Sequence, residues 1–186
     1  MNPVDCPDIK EEGGAWTVTD TTSTPMGEMT DVAVLEKGSL NLRKRSVKQG
    51  GVSIDLEVVG NKATGKMNMG GQERAIDVDL GGPLFADAAG VAQSIASLPI
   101  KEGYTAAYRN FDLQKQKPKL MQLQVGGSES VTVPAGTFDA YKVEISSADG
   151  GPDKLTVWVT KDSRQAVKFS AVLAQMGGAV LTAELQ

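Results

Sequence analysis

Most of the chain alternates between apolar and polar residues with a period of two. The segment VSIDLEV, residues 52–58, places Val, Ile and Leu on one face and its acidic residues on the other. Four further segments repeat the pattern: AIDVDL at 75–80, YKVEI at 141–145, LTVWV at 155–159 and VKFSA at 167–171. Gly-Gly pairs lie between many of these segments, and glycine adopts the positive φ angles that tight turns use. The pattern predicts antiparallel strands that each bury one face and are joined by hairpins.

One segment, GPLFADAAGVAQSIASLP, follows a helical period instead. Its apolar residues recur at spacings of four and three, at Leu84, Ala88, Val91, Ile95 and Leu98. Pro83 suits the first turn of a helix, and Pro99 would end it. Asp87 carries the one charge of the segment and would lie in the first turn, where a carboxylate favours the helix dipole. The spacing predicts a helix over about residues 83–98 that is covered on most sides.

Together these patterns predict a mainly β fold. We expect a strongly curved antiparallel sheet or an incomplete β-barrel, with the one main α-helix packed on it. A length of 186 residues fits a single β-rich domain. Within it we expect residues 1–14 to be loosely ordered, 15–82 to form N-terminal strands and 103–186 to form C-terminal strands. One curved sheet could hold all the strands.

The stretch VTVPAGTFDAYKVEI, residues 131–145, contains two alternating strands around Pro134, Ala135 and Gly136. Pro134 has the φ angle that the second position of a turn requires, and Gly136 can adopt a left-handed conformation after it. We therefore interpret Pro134 and Gly136 as parts of a structural turn in a three-residue hairpin loop, rather than as parts of a loop that binds a ligand.

Composition excludes several kinds of chemistry. The formal net charge is −4, which disfavours nucleic-acid binding because phosphate contacts need a basic surface. The chain has no histidine, so Ser-His-Asp and Cys-His catalysis and His-ligated zinc are ruled out. Its single cysteine, Cys6, can form neither an internal disulfide nor a cysteine-rich metal site. We expect a protein that is not an enzyme and has no metal or cofactor. No apolar run approaches the ~18 residues of a transmembrane segment.

Two charged stretches favour structural interpretations. The run of Arg43, Lys44, Arg45 and Lys48 is typical of a solvated edge strand that resists aggregation. The segment GNKATGK, residues 60–66, matches part of a phosphate-binding loop, but Met67 follows where that motif needs Ser or Thr. We predict a hairpin turn there.

Three segments carry a resemblance to a known family. SLPIKEGY, VTVPAGTFDAYKVEI and LTVWVTKDSRQAVKF, in this order, resemble the bacterial domain-of-unknown-function family 3108 over residues 84–185. The family has no established activity, and its members are mostly exported. The resemblance therefore implies a periplasmic or otherwise exported protein whose signal peptide is not part of this sequence. The family is similar in architecture to the lipoprotein carriers LolA and LolB, in which a curved sheet wraps apolar helices around a lipid-binding cavity. Such a likeness concerns the fold and assigns no catalytic residues.

The candidate function depends on apolar side chains near the helix. Trp158 lies on the nominally polar face of its strand, which indicates that both faces of that strand are partly covered, either because the helix packs there or because a cavity opens there. Methionines add adaptable side chains. We predict an apolar groove between sheet and helix for a lipid-like ligand, lined by Leu84, Phe85, Val91, Ile95, Met67, Met69 and Trp158. The alternative is a structural or protein-interaction domain with a filled core and no small-molecule ligand.

Overall fold

The structure, a computed structural model, describes residues 7–24, 27–113, 115–173 and 178–186. These residues form two antiparallel sheets with a short helix between them in sequence. The first sheet consists of β1 (Asp8–Glu12), β2 (Ala15–Thr24), β3 (Gly27–Glu36), β4 (Leu42–Gln49), β5 (Val52–Val59), β6 (Lys62–Met69) and β7 (Gln72–Asp79). The helix is α1 (Val91–Ala96). The second sheet consists of β8 (Thr105–Asp112), β9 (Lys117–Val133), β10 (Gly136–Ser147), β11 (Lys154–Thr160), β12 (Ala166–Leu173) and β13 (Ala179–Glu184).

Within each sheet, every strand pairs with its neighbours in sequence, as the alternating pattern predicts. The mainly β class with antiparallel pairing and one helix is confirmed, and the turn between β5 and β6 lies where the segment of residues 60–66 predicts a hairpin. The strands divide between two sheets, although one curved sheet could have held them. Residues 8–12, within the segment that we expected to be loosely ordered, form a strand paired with β2. Cys6 lies outside the described residues.

The helix has six residues, whereas the sequence predicts about sixteen over 83–98. The backbone before α1 is extended, because Leu84 and Phe85 form β-bridges with Arg109 and Asn41. Ala86 then has a φ angle of 50° and Gly90 one of 76°, and neither angle belongs to an α-helix. Hydrogen bonding to both sheets thus replaces the first part of the predicted helix. In the part of the chain described here, no helix combines the length and apolarity that crossing a membrane requires.

Inward-facing side chains form three apolar clusters. The first covers the inner face of the first sheet and includes Ile54, Leu56 and Phe111, the last contributed by β8. The second lies on the second sheet and includes Ile95 of α1. A small third cluster around Val131 stabilises the long β9–β10 hairpin. Because Phe111 reaches the core of the first sheet, the two sheets pack on each other at β8.

Pro134 and Gly136, interpreted from sequence as parts of a structural turn, lie where β9 and β10 meet. Gly136 pairs with Val133, so the loop contains two residues, Pro134 and Ala135, where the sequence predicts three. The amide of Ala135 donates a hydrogen bond to the carbonyl oxygen of Leu185 at 3.2 Å, which ties the loop to the C-terminal end of the chain. Gly136 has a φ angle of 142°, which L-amino acids rarely adopt.

Replacing Gly136 by Val tests this backbone assignment. A residue with a side chain is strained at a φ angle of 142°, even though the added Cβ would make only ordinary van der Waals contacts with its neighbours. We expect Gly136→Val to lower the free energy of unfolding by about 1–2 kcal/mol. Urea unfolding of both proteins measures the difference.

Gly127→Val serves as the control, because Gly127 lies in the same hairpin, pairs with Lys142 and has open space around its Cα. Its φ angle is not positive. The control variant should keep nearly the stability of the parent protein. Equal stability of Gly136→Val and the parent would contradict the assignment.

Candidate functional site

The segment that joins the two sheets, residues 80–104, is called the connector below. Its first residue, Leu80, donates a backbone hydrogen bond to Asn61 in the β5–β6 turn at 2.7 Å. Further along, the carbonyl oxygen of Leu84 accepts from the amide of Leu42 at 2.9 Å, and the amide of Phe85 donates to Arg109 at 3.0 Å. The connector therefore bridges the two sheets through its own backbone.

A buried ion pair lies beneath the connector. Nε and Nη2 of Arg45 donate to the two carboxylate oxygens of Asp31 at 3.2 and 2.8 Å, and both side chains are mostly buried. Nη1 of Arg45 donates to the backbone carbonyl oxygen of Asp87 at 2.9 Å. The guanidinium group thus links β3 and β4 to the connector. Arg43 and Lys44 are exposed, as the predicted solvated basic run requires. The prediction is wrong for Arg45, which is mostly buried, and wrong about the edge strand, because β4 lies between β3 and β5.

Asp87 connects the same region to the second sheet. Its Oδ2 accepts a hydrogen bond from the amide of Phe111 on β8 at 2.9 Å. Burial raises the pKa of Asp87 to about 7, against the opposing effect of the Arg45 charge. The prediction that Asp87 occupies the first helical turn is wrong, because the helix begins at Val91. Its carboxyl group instead satisfies a strand amide.

Asp20 on β2 holds the turn before α1. Its Oδ2 accepts a hydrogen bond from the amide of Gly90 at 3.0 Å. Burial is the main cause that raises the pKa of Asp20. Gly90 has a positive φ angle, and a Cβ there would lie 2.8 Å from Cγ1 of Val18. Glycine therefore permits the close approach of the connector to β2.

A cavity of about 280 Å³ lies between the two sheets and the N-terminal part of α1. Strands β2 and β3, the connector, and strands β12 and β13 all contribute to its wall. The lining includes Asp20, Thr22, Met29, Asp31, Ala88, Val91, Ala92, Gln93, Ala166, Val167, Lys168, Phe169, Leu181, Ala183, Glu184 and Leu185. Leu181 is 41% exposed, so the cavity opens to solvent beside β13.

The lining is apolar over most of its area, with a few charged groups. Nζ of Lys168 and the carboxylate of Glu184 form an ion pair at 2.7 Å. Asp31 is already engaged by Arg45. Among the described residues, no group of three or more His, Cys, Asp or Glu side chains could hold a metal ion. This arrangement can enclose an apolar group beside fixed polar contacts, which is typical of small-molecule binding sites.

Of the seven residues predicted to line a groove, Val91 lines this cavity. Leu84 and Met67 are buried in the core of the first sheet, and Ile95 is buried in the core of the second. Phe85 packs edge-to-face on Tyr108 with ring centroids 5.6 Å apart. Leu84 and Phe85 pack into cores because the extended connector, unlike a long helix, directs them into the sheets on either side. Met67 enters the core of the first sheet from β6, and Ile95 enters the core of the second from α1.

Met69 and Trp158 also lie away from the cavity. Met69 is 53% exposed at the end of β6. Trp158 packs against the third apolar cluster, its indole N–H donates to Glu129, and Nζ of Lys168 lies 5.6 Å from its ring centroid. The two-sided covering that the sequence indicates for Trp158 therefore comes from the hairpin and from charged side chains.

The alternating pattern of the sequence did not lead us to the charged residues of the site, Asp20 and Asp31. Asp20 shares an inward face with Val18, and Asp31 shares one with Ala33 and Leu35. The sequence does contain a signal for them, because both aspartates occupy positions of the alternating pattern where apolar residues are expected.

Comparison with known proteins places the chain in a sequence family. The model of a family described as a protein of unknown function, DUF3108, matches residues 8–185. The match includes the first sheet as well as the C-terminal region that carries the resemblance in sequence. Searches of the curated proteins and of the solved structures found no match to this chain.

Replacing Asp87 by Asn tests the buried carboxyl group. Its pKa rises from 3.8 to about 7 on folding, so the folded protein holds this proton more tightly than the unfolded chain does. The resulting stability is present below about pH 4 and is lost as the pH rises to about 7. The amide side chain of Asp87→Asn keeps an acceptor for the amide of Phe111 but does not titrate. Between pH 4 and 7, we expect the unfolding free energy of the parent to fall relative to the variant, by up to about 4 kcal/mol.

Urea unfolding at several pH values in this range measures the effect. Asp77→Asn is the control, because Asp77 is exposed on β7. This variant should keep the pH dependence of the parent protein. If Asp87→Asn showed that same dependence, Asp87 would not be the titrating group.

Proposed function

We propose, for a chain that belongs to the DUF3108 family of unknown function, that it is a binding module for a small apolar or amphiphilic ligand. The ligand would occupy the cavity between the two sheets and α1. The observation that carries the proposal is the cavity itself, since Val91, Phe169 and Leu181 approach it from three separate elements.

The size of the cavity limits the ligand. Pockets for drug-sized ligands measure about 300–1,000 Å³, and this cavity, at about 280 Å³, is slightly smaller than that range. A single alkyl chain or a small ring system suits this volume better than a lipid with two acyl chains. Burial of apolar surface would supply the driving force, at about 25 cal/mol per Å² before the costs of ordering.

The alternative, a domain that acts through its surface, has less support. Large exposed apolar side chains occur at Ile9, Val59, Met69, Leu120, Val180 and Leu181. They are distributed over five strands in two sheets. Docking surfaces are usually contiguous apolar patches, so this distribution favours ligand binding in the cavity.

We further propose that the module binds its ligand without transforming it and acts outside the cytoplasm. Support for binding comes from the engagement of Asp31 and Lys168 in ion pairs at the cavity wall. Support for export comes from the sequence resemblance. Fractionation of the source cells with an antibody against this chain tests the location, and recovery with the cytosolic fraction would contradict it.

Filling the cavity tests the proposed binding site. Thr22 lines the cavity, whereas its neighbour Thr21 lies on the opposite face of β2. We expect the neutral fluorescent probe N-phenyl-1-naphthylamine to bind the parent protein. Thr22→Trp should weaken that binding about tenfold or more, because the indole ring occupies the space. Fluorescence titration gives the dissociation constants.

Thr21→Trp is the matched control, since it introduces the same side chain one residue away on the same strand. Its affinity for the probe should equal that of the parent. Equal loss in both variants, or no effect of Thr22→Trp, would place the probe elsewhere. Absence of binding to the parent protein would contradict the proposed function and favour the interaction-domain alternative.

A further inference from the structure

The charges at the cavity wall do not balance. Among the residues that the structure describes, four charged side chains line the cavity: Asp20, Asp31, Lys168 and Glu184. Asp31 is neutralised by the bidentate contact with Arg45, and Lys168 is neutralised by Glu184. One carboxylate, that of Asp20, remains without a cationic partner among the residues that the structure describes.

The position of Asp20 makes this lack of a partner costly. Asp20 and Asp31 stand directly opposite each other on β2 and β3, and like charges in that relation destabilise a sheet. Arg45 directs two of its donors to Asp31 and a third to the carbonyl oxygen of Asp87. From the described part of the chain, Asp20 receives one hydrogen bond, donated to its Oδ2 by the amide of Gly90.

Such an arrangement has no evident advantage for folding, because Asn or Thr at position 20 could accept the same amide hydrogen bond. Departures from sequence rules of this kind are concentrated at functional sites. A carboxylate beside an apolar cavity is complementary to a ligand that joins a cation to an alkyl group. A charge-assisted hydrogen bond to such a cation is stronger than a neutral one.

We propose that the cavity binds a single-chain alkylammonium and that Asp20 accepts hydrogen bonds from its ammonium group. This inference rests on the proposed binding function and adds the chemistry of the head group. The alkyl chain lies among Val91, Phe169 and Leu181. The ammonium group supplies the cationic partner that Asp20 lacks among the described residues. The opening beside Leu181 provides the entrance.

Three probes with the same chain and different head groups test the inference. Octylammonium and octanoate, each below its critical micelle concentration, and 1-octanol, below its solubility limit, are titrated calorimetrically into the parent protein. We expect octylammonium to bind about tenfold more tightly than 1-octanol and octanoate to bind most weakly, because only the ammonium group pairs with a carboxylate.

Two variants separate Asp20 from the general negative charge of the protein. Asp20→Asn keeps an acceptor for the amide of Gly90 and should bind octylammonium no more tightly than 1-octanol. Asp77→Asn removes one exposed carboxylate from β7 and should retain the preference. Comparison of the three probes on the parent protein decides the question even if Asp20→Asn does not fold.

The outcomes distinguish this inference from the function on which it rests. If 1-octanol binds the parent and Thr22→Trp abolishes that binding, but octylammonium has no advantage, the inference is overturned and the proposed function stands. Tightest binding by octanoate overturns it as well. If none of the three probes binds, the inference is overturned, and the proposed function fails as well if N-phenyl-1-naphthylamine does not bind. Equal loss of the preference in Asp20→Asn and Asp77→Asn would assign it to overall charge and overturn the role of Asp20.

Discussion

The ion pair between Arg45 and Asp31 is the interaction on which the arrangement of the molecule depends. Removing one partner of a buried pair leaves an uncompensated charge and typically costs about 3–5 kcal/mol. Here Arg45 also binds the carbonyl oxygen of Asp87, whose carboxyl group accepts from Phe111 on the other sheet. A short chain of polar contacts therefore fixes the connector against both sheets.

This fixed connector explains why a cavity exists. Backbone hydrogen bonds tie Leu84 and Phe85 to the two sheets, and the turn at Gly90 brings α1 close to β2. The helix is too short to fill the space between β2–β3 and β12–β13, so a volume of about 280 Å³ remains there. The same contacts that order the connector leave Asp20 at the edge of that volume. Stability and the candidate function thus arise from one set of residues.

The fold is largely predictable from the sequence, because a polar–apolar alternation of period two and glycine-containing turns are local signals. Within each sheet, every strand also pairs with its neighbours in the chain. The helix boundaries are not predictable in this way, because β-bridges from Leu84 and Phe85 to distant strands override the local helical spacing. At the site, the sequence shows that Asp20 and Asp31 occupy inward-facing positions of their strands. It does not show their hydrogen-bond partners, because Arg45 lies 14 residues from Asp31 and Gly90 lies 70 residues from Asp20. Of the predicted groove residues, Val91 lies at the cavity because α1 faces the space between the sheets.

The central claim is that an alkyl chain occupies the space between the two sheets beneath α1. Intermolecular nuclear Overhauser effects between 1-octanol and assigned methyl groups measure this most directly. We expect contacts from the chain protons to the methyl groups of Val91 and Leu181, which line the cavity. Contacts confined to the exposed methyl groups of Val59 and Val180 would show surface adsorption and contradict the claim.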